Sequence, residues 1–451
     1  MKKNYFLKQL LLIGAVVAGT ALINISCKSK AATNQSDGST ADVLAIPALF
    51  ERTGDLAKAA EWPKTKTKVD ELKQKIAAKT GDVKSRLQLV TIYLSEVRIT
   101  GQAGYYYPAL IKMLDGILSL DPKNFEATVY KSSVKMSLHQ FADAKEIAEK
   151  ARALNPDNAY VYGMLVDANV ELGNYKEAIA MSDKMQALKP SLESYSRASY
   201  LREIFGDYPG AIQAMKMAVA AGVPGSESGE WARVALGDLF LNTGHLDSAE
   251  LAYQTSLEIR PNFPNAEIGL AKVEKARKNY EAAIKHTENA IRIVSEAPYV
   301  SFLGELYLLK GDKIKAEEIS SDVVDLLEKA EKEQSSSIAK HNGNRELANA
   351  YLNANKLDKA MEYAQNDLKI RSENIDANEL VAWIAYLKGD YALAKNCADK
   401  MLMTNTMNAN TLSKAAMIYK KSGDVAKSEV LMTKAKSVSK YIDEKITMTS
   451  I

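Results

Sequence analysis

Between residues 85 and 440, apolar residues recur at three- and four-residue intervals, the spacing of one helical face. The stripes come in pairs. Residues 236–261, LGDLFLNTGHLDSAELAYQTSLEIRP, show the unit: two apolar stripes flank Gly244, and Pro261 closes the second. Gly237, Ala249 and Ser256 are small residues standing on the apolar faces, where a helix normally carries bulk. Small residues on two facing stripes predict two helices in close contact. Enlarging Ala249 to Leu should then overpack the contact.

The pattern repeats. Gly244 is followed by Leu246 and Ala249, Gly173 by Tyr175 and Ala178, Gly206 by Tyr208 and Ala211, and Gly389 by Tyr391 and Ala394. Gly311 precedes Ala316, and Gly423 precedes Val425 and Ser428. His139, Lys278 and Asn355 hold the turn position in three copies. These nine turns are separated by 34, 33, 38, 34, 33, 44, 34 and 34 residues. Gly suits the left-handed residue that ends a helix. Asn174, Asp207, Asp312, Asp390 and Asp424, one residue later, suit the start of the next. An earlier copy is expected near 85–124, with Tyr105, Tyr106 and Tyr107 in a lengthened loop. Gly and Pro are otherwise sparse, which supports helix nearly throughout.

Nine copies at this period resemble the tetratricopeptide repeat family. The resemblance implies an all-α fold, a right-handed solenoid of antiparallel helix pairs with nine to ten units over 85–440. Residues 42–84 would cap its N-terminus, through a helix at 66–79, and 441–451 would form a C-terminal cap or tail. Two insertions break the period, VPGSESG at 223–229 and EKAEKEQSSSIAKHNG at 328–343. They read as neutral loops or as local binding elaborations.

In that family the first helix of each unit lines a concave binding face. Carried over copy by copy, the positions free for a partner are Tyr160, Asp167, Tyr200, Glu203, Trp231, Asp238, Asn242, Lys272, Glu305, Arg345, Asn349, Trp383 and Tyr386. The groove would be acidic over 159–263 and more basic toward the C-terminus. Its aromatics read either as binding hot spots or as packing against adjacent helices. Some members grip a terminal carboxylate with a Lys/Asn/Asn/Lys/Arg clamp. Arg345 and Asn349 match its first two positions, but Leu380 replaces the next Asn, so the clamp is not intact.

The N-terminus carries a different pattern. Lys2, Lys3 and Lys8 precede an apolar run from Leu10 to Ile23, shorter than a membrane span and typical of an export signal. Ile25-Ser26-Cys27 follows, and here the chain resembles a bacterial lipoprotein, although Asn24 stands where an aliphatic residue is usual. The resemblance implies a signal peptide at 1–26, lipidation of Cys27 and a flexible tether over 27–41. Lys28 after the cysteine points to the outer membrane, with the body facing the periplasm. The formal charge of +3 equals the three signal lysines, so the remainder is neutral and offers no global attraction to nucleic acid. Cys397 is then without a disulfide partner.

Catalytic chemistry finds no footing. There is no HExxH motif, no Cys/His cluster, no phosphate-binding glycine loop and no nucleophile elbow. The four histidines, His139, His245, His286 and His341, are scattered along the array, so neither a metal nor a cofactor is expected. The reading is a non-catalytic scaffold that binds a protein partner at the cell envelope, anchored through Cys27. The alternatives are a glycan-binding uptake lipoprotein and a subunit of an outer-membrane assembly or cell-wall synthesis complex.

Overall fold

A computed structural model describes residues 46–334 and 337–442. Cys27, the signal, the tether and most of the 441–451 tail lie outside the described residues. The described residues hold 21 α-helices and no strand. Helix α1 spans Trp62–Ala78, α2 Val83–Thr100, α3 Ala103–Leu120, α4 Phe125–Ser137 and α5 Phe141–Leu154. Next come α6 Ala159–Glu171, α7 Tyr175–Leu188, α8 Leu192–Ile204, α9 Tyr208–Ala221, α10 Glu227–Asn242 and α11 Leu246–Ile259. They are followed by α12 Pro264–Ala276, α13 Tyr280–Ile293, α14 Ala297–Lys310, α15 Lys313–Gln334 and α16 Asn344–Asn353. The last are α17 Leu357–Ile370, α18 Ile375–Lys388, α19 Tyr391–Met401, α20 Ala409–Lys421 and α21 Val425–Val438. From α2 onward they form ten stacked helix pairs, and α1 packs on the first.

All nine turn positions adopt positive φ, including the three without glycine: His139 at 55°, Lys278 at 66° and Asn355 at 56°. The residue after the turn behaves less uniformly. Asp207, Asp390 and Asp424 accept the backbone N–H three residues on, whereas Asn174 makes no such cap and donates to Asn169 Oδ1 instead.

Small residues allow the stacking. The fully buried Tyr253 ring lies between α10 and α12, against Gly237 on one side and Gly269 on the other. A methyl group at either glycine would stand 2.4–2.5 Å from ring carbons. Neighbouring even-numbered helices touch directly, as in α4 with α6, α10 with α12 and α18 with α20, while no two odd-numbered helices make comparable contact among the described residues. The even helices are therefore crowded to the inside of the curve and the odd ones splay outside.

Curvature is tight enough for the solenoid to return upon itself. Residues about 200 apart, or about six units of 34, meet along a seam where loops of one superhelical turn abut those of the next. Gln140 Nε2 donates to the Lys340 carbonyl at 2.7 Å, and the Asn342 N–H to the Leu138 carbonyl at 3.0 Å. The Tyr175 hydroxyl accepts from the Ile375 N–H at 2.9 Å. At Gly173 a methyl would fall 2.4 Å from the Glu373 backbone, so glycine there serves both the turn and the seam. Arg371 is the seam's central ion. Its guanidinium, 1% exposed, is held by Asp367 at 2.7 Å, bonds Glu171 of the other turn and lies over the Phe141 ring.

Two expectations need correction. Tyr105, Tyr106 and Tyr107 are in α3, not in a loop. Two of them hold the segment leading into α1: Tyr105 donates to the Ala48 carbonyl, and the Phe50 N–H donates to the Tyr106 hydroxyl. The insertion at 328–343 is not a neutral loop either: its Glu/Lys portion extends α15, as that composition suggests, and the residues after it supply Ala339, Lys340 and Asn342 to the seam.

Candidate functional site

The even-numbered helices face the inside of the curve, and the return of the solenoid turns that face into the wall of a lumen. Tyr160, Tyr200 and Trp231 remain 39%, 45% and 42% exposed there. Trp383 and Tyr386 do not. Both are 7% exposed, stacked on each other with ring centroids 5.1 Å apart, and belong to the C-terminal core. The sequence offered either role for these rings. Alanines at Ala382, Ala385 and Ala416 let the neighbouring helices close over them.

Most of the polar candidates are tied to one another. Asp167 takes a two-pronged bond from Arg197, at 2.8 and 2.6 Å. Asn242 donates to Glu203 at 2.9 Å. Asp238 accepts from the Tyr253 hydroxyl at 3.0 Å and from Lys272 at 3.3 Å. Lys275 bonds Glu305, and exposed Asn349 donates to the Arg345 carbonyl at 2.9 Å. Adjacent units are thus cross-linked along the inner wall, and these pairs hold its helices in register. Arg345 has left the lumen's clamp position for the seam, where Nη2 lies 3.4 Å from both His139 Nε2 and Glu346 Oε1.

One place gathers unspent chemistry. Tyr200 and Glu203 from α8 meet Asp376 and Glu379 from α18, a full superhelical turn later, around a cleft of about 120 Å³ also lined by Met401, Asn408 and Thr411. Glu379 is satisfied by Lys414 at 2.7 Å and Thr411 at 2.6 Å. Asp376 carries no hydrogen bond or ion pair among the described residues. Asp376 itself is exposed and Glu203 and Glu171 are half-buried, and the mass of protein around the cleft pushes all three carboxyls above their ordinary range. For Asp376 the negative charge of Glu379 adds to that effect. The same surroundings push the Tyr200 and Tyr160 phenols up, although both rings keep an exposed face. The C-terminal half contributes Asp376 and Glu379 to this wall, together with Lys414.

Asp376 and Glu379 were not among the candidates. They sit in α18 beside Asn374, whose side chain caps that helix, and their spacing is that of any charged helix surface. Only the return of the solenoid sets them opposite Tyr200. Burial also pushes the His139 imidazole down to about 4, with Glu346 opposing the change.

Models of the tetratricopeptide repeat match residues 135–198 and 232–263. No curated protein sequence matches the chain. Among solved structures it is similar to a thermophilic TPR protein of Thermus thermophilus, with 20% identity over 42% of this chain and 97% of that one, TM-score 0.37. It is also similar to the type IV pilus biogenesis factor PilW, with 16% identity over 48% and 96%, TM-score 0.38. A third is a tetratricopeptide repeat protein from Parabacteroides merdae, with 17% identity over 58% and 98%, TM-score 0.34. The chain therefore carries tetratricopeptide repeats over the two matched stretches, within an all-α solenoid of the same helix-pair type.

Proposed function

We propose that the chain is a non-catalytic scaffold that holds a protein partner by a lysine or arginine side chain inserted into the cleft between Tyr200, Glu203 and Asp376. The observation that carries this reading is Asp376, a carboxylate without a partner among the described residues, beside an exposed tyrosine ring. A cation there gains an ion pair with the exposed Asp376 carboxylate and can lie over the Tyr200 face. The cleft has room for a long side chain rather than a folded domain. Tyr160 and Trp231, on either side of it along the inner wall, supply aromatic surface for the rest of an extended segment. Tetratricopeptide repeats are protein-binding modules, which supports a protein rather than a glycan as occupant.

The setting we propose is the cell envelope, with Cys27 acylated and the body facing the periplasm from the outer membrane. The sequence around Cys27 supports this. Metabolic labelling with a fatty acid tests it: a wild-type chain without label, or label persisting in Cys27→Ser, overturns the anchor.

The binding reading is tested by anisotropy of a labelled lysine-rich peptide on the full chain, against the same peptide with glutamate for lysine. Only the lysine peptide should bind, and Glu203→Lys with Asp376→Lys should abolish binding while the helical circular dichroism stays unchanged. Equal binding of both peptides, or undiminished binding by the double variant, refutes it.

A further inference from the structure

At the seam, His139 meets His341 and Glu346, about 200 residues later in the chain. His139 occupies the left-handed turn between α4 and α5. His341 and Glu346 come from the inserted loop and the first turn of α16. The imidazole centroids are 4.5 Å apart. His139 Nδ1 stands 3.6 Å from Glu346 Oε1, and His341 Nε2 stands 3.7 Å from Glu346 Oε2. One ligand atom from each residue lies within 4.8 Å of the others.

Those spacings are informative. A His–carboxylate hydrogen bond closes to under about 3 Å, and the molecule's other such pair does so, with His286 Nδ1 at 2.6 Å from Glu267 Oε2. The His139, His341 and Glu346 atoms stay apart, and Glu346 Oε2 is buried with no hydrogen-bond partner. Ligands around a tetrahedral zinc ion, with bonds of about 2.0–2.1 Å, are separated by about 3.3–3.4 Å. The two His–carboxylate separations exceed that value by a few tenths of an ångström but run to different oxygens of Glu346. Within the set of one atom per residue, where separations reach 4.8 Å, the side chains have to close by about 1 Å on an ion. Two imidazole nitrogens and a carboxylate oxygen also form a donor set that zinc accepts, with water in the fourth position.

The surroundings suit a site. Two seam hydrogen bonds, from Gln140 to the Lys340 carbonyl and from the Asn342 N–H to the Leu138 carbonyl, fix the backbone on both sides of the ligands. The three side chains remain 19%, 32% and 26% exposed, so an ion can reach them. One group opposes it: Arg345 Nη2, 3.4 Å from His139 Nε2 and from Glu346 Oε1, already places a positive charge there.

We propose that His139, His341 and Glu346 bind a zinc ion that clasps successive turns of the solenoid across the seam. This does not depend on the lumen cleft. The ion joins segments about 200 residues apart in the chain, so its binding should hold the seam closed.

The test is calorimetric titration of zinc alone into the full chain after chelator treatment, with amide hydrogen exchange at Asn342 as a second readout. The expected result is one zinc per chain and slower exchange at Asn342 on loading. His139→Gly keeps the left-handed turn, since glycine holds most of the other turns. That variant and His341→Ala should each weaken zinc binding by more than about a hundredfold, beyond the 10–100-fold cost of losing an outer-shell partner. Arg345→Ala should tighten it, and His286→Ala should leave it unchanged. Absence of saturable zinc binding, or binding undiminished in the His139→Gly/His341→Ala chain with its helical signal intact, overturns the proposal. So does binding that disappears in His286→Ala alone.

Discussion

Gly237→Ala adds one methyl group at a helix contact, and the structure gives its consequence in some detail. The new carbon would stand 2.5 Å from Tyr253 Cε1, 2.8 Å from Cζ and 2.9 Å from Cδ1. Carbon atoms in contact prefer about 3.5–4.0 Å, so the overlap is about 1 Å. The ring has no retreat. It is fully buried, its hydroxyl is bonded to Asp238, and its other side meets Gly269 at a similar distance. Overpacking of this kind costs about 1–3 kcal/mol. Replacing glycine by alanine inside a helix returns about 1 kcal/mol. A net loss of up to about 2 kcal/mol is expected.

Gly304→Ala is the matched control. It is also a buried glycine inside a first helix, but its methyl would meet the Ile319 Cγ2 methyl at 3.2 Å, a milder approach that a shift of a few tenths of an ångström relieves, and Ile319 Cβ and Ser320 Oγ at an ordinary 3.6 Å. That change should be neutral or stabilising by up to about 1 kcal/mol. Urea unfolding followed by far-ultraviolet circular dichroism measures both, and Tyr253→Leu supplies the second axis of a double-mutant cycle. In the Tyr253→Leu background Gly237→Ala should lose its penalty. If Gly237→Ala is as stable as Gly304→Ala, each relative to the wild type, or if its cost is the same with leucine at 253, the steric argument is wrong.

Arg371→Ala leaves the buried Asp367 carboxylate without its partner and should cost about 3–5 kcal/mol; a smaller loss in urea unfolding would show that the seam tolerates opening. Trp383→Ala should cost about 3–5 kcal/mol by emptying a core site, while Trp231→Ala should change stability by less than about 0.5 kcal/mol and instead weaken peptide binding. Thermal melting beside the peptide titration separates the two. Binding of the lysine-rich peptide should fall as pH is lowered, and the fall should begin above the ordinary carboxylate range. Glu171, Glu203 and Asp376 have folded pKa values raised above their unfolded ones, so their ionised forms are the disfavoured ones in the fold. Lowering the pH through the raised values neutralises the cleft and locally favours the folded state, so affinity drops without loss of helical signal. Affinity unchanged until pH reaches the ordinary carboxylate range would contradict the desolvation argument.

The amino-acid order alone determined the helix pairs, because their causes are local. A left-handed residue ends one helix, an apolar stripe recurs every three to four residues, and small residues mark where helices touch. Even His139, Lys278 and Asn355 could be placed at turns from their offsets, and all three take positive φ. Which aromatics stay exposed was open in the sequence: Trp231 and Trp383, two helical turns apart within the unit, both lie on first helices, and neighbouring helices close over Trp383 alone.

Tertiary structure alone decided how the array returns on itself. Curvature is the sum of small rotations at each helix contact, set by side-chain volumes that no period reveals. That sum sets Asp376 across from Tyr200, buries Arg371 between Asp367 and Glu171, and brings His139 to His341. Scattered histidines and ordinary surface acids became neighbours only because about six units complete one turn.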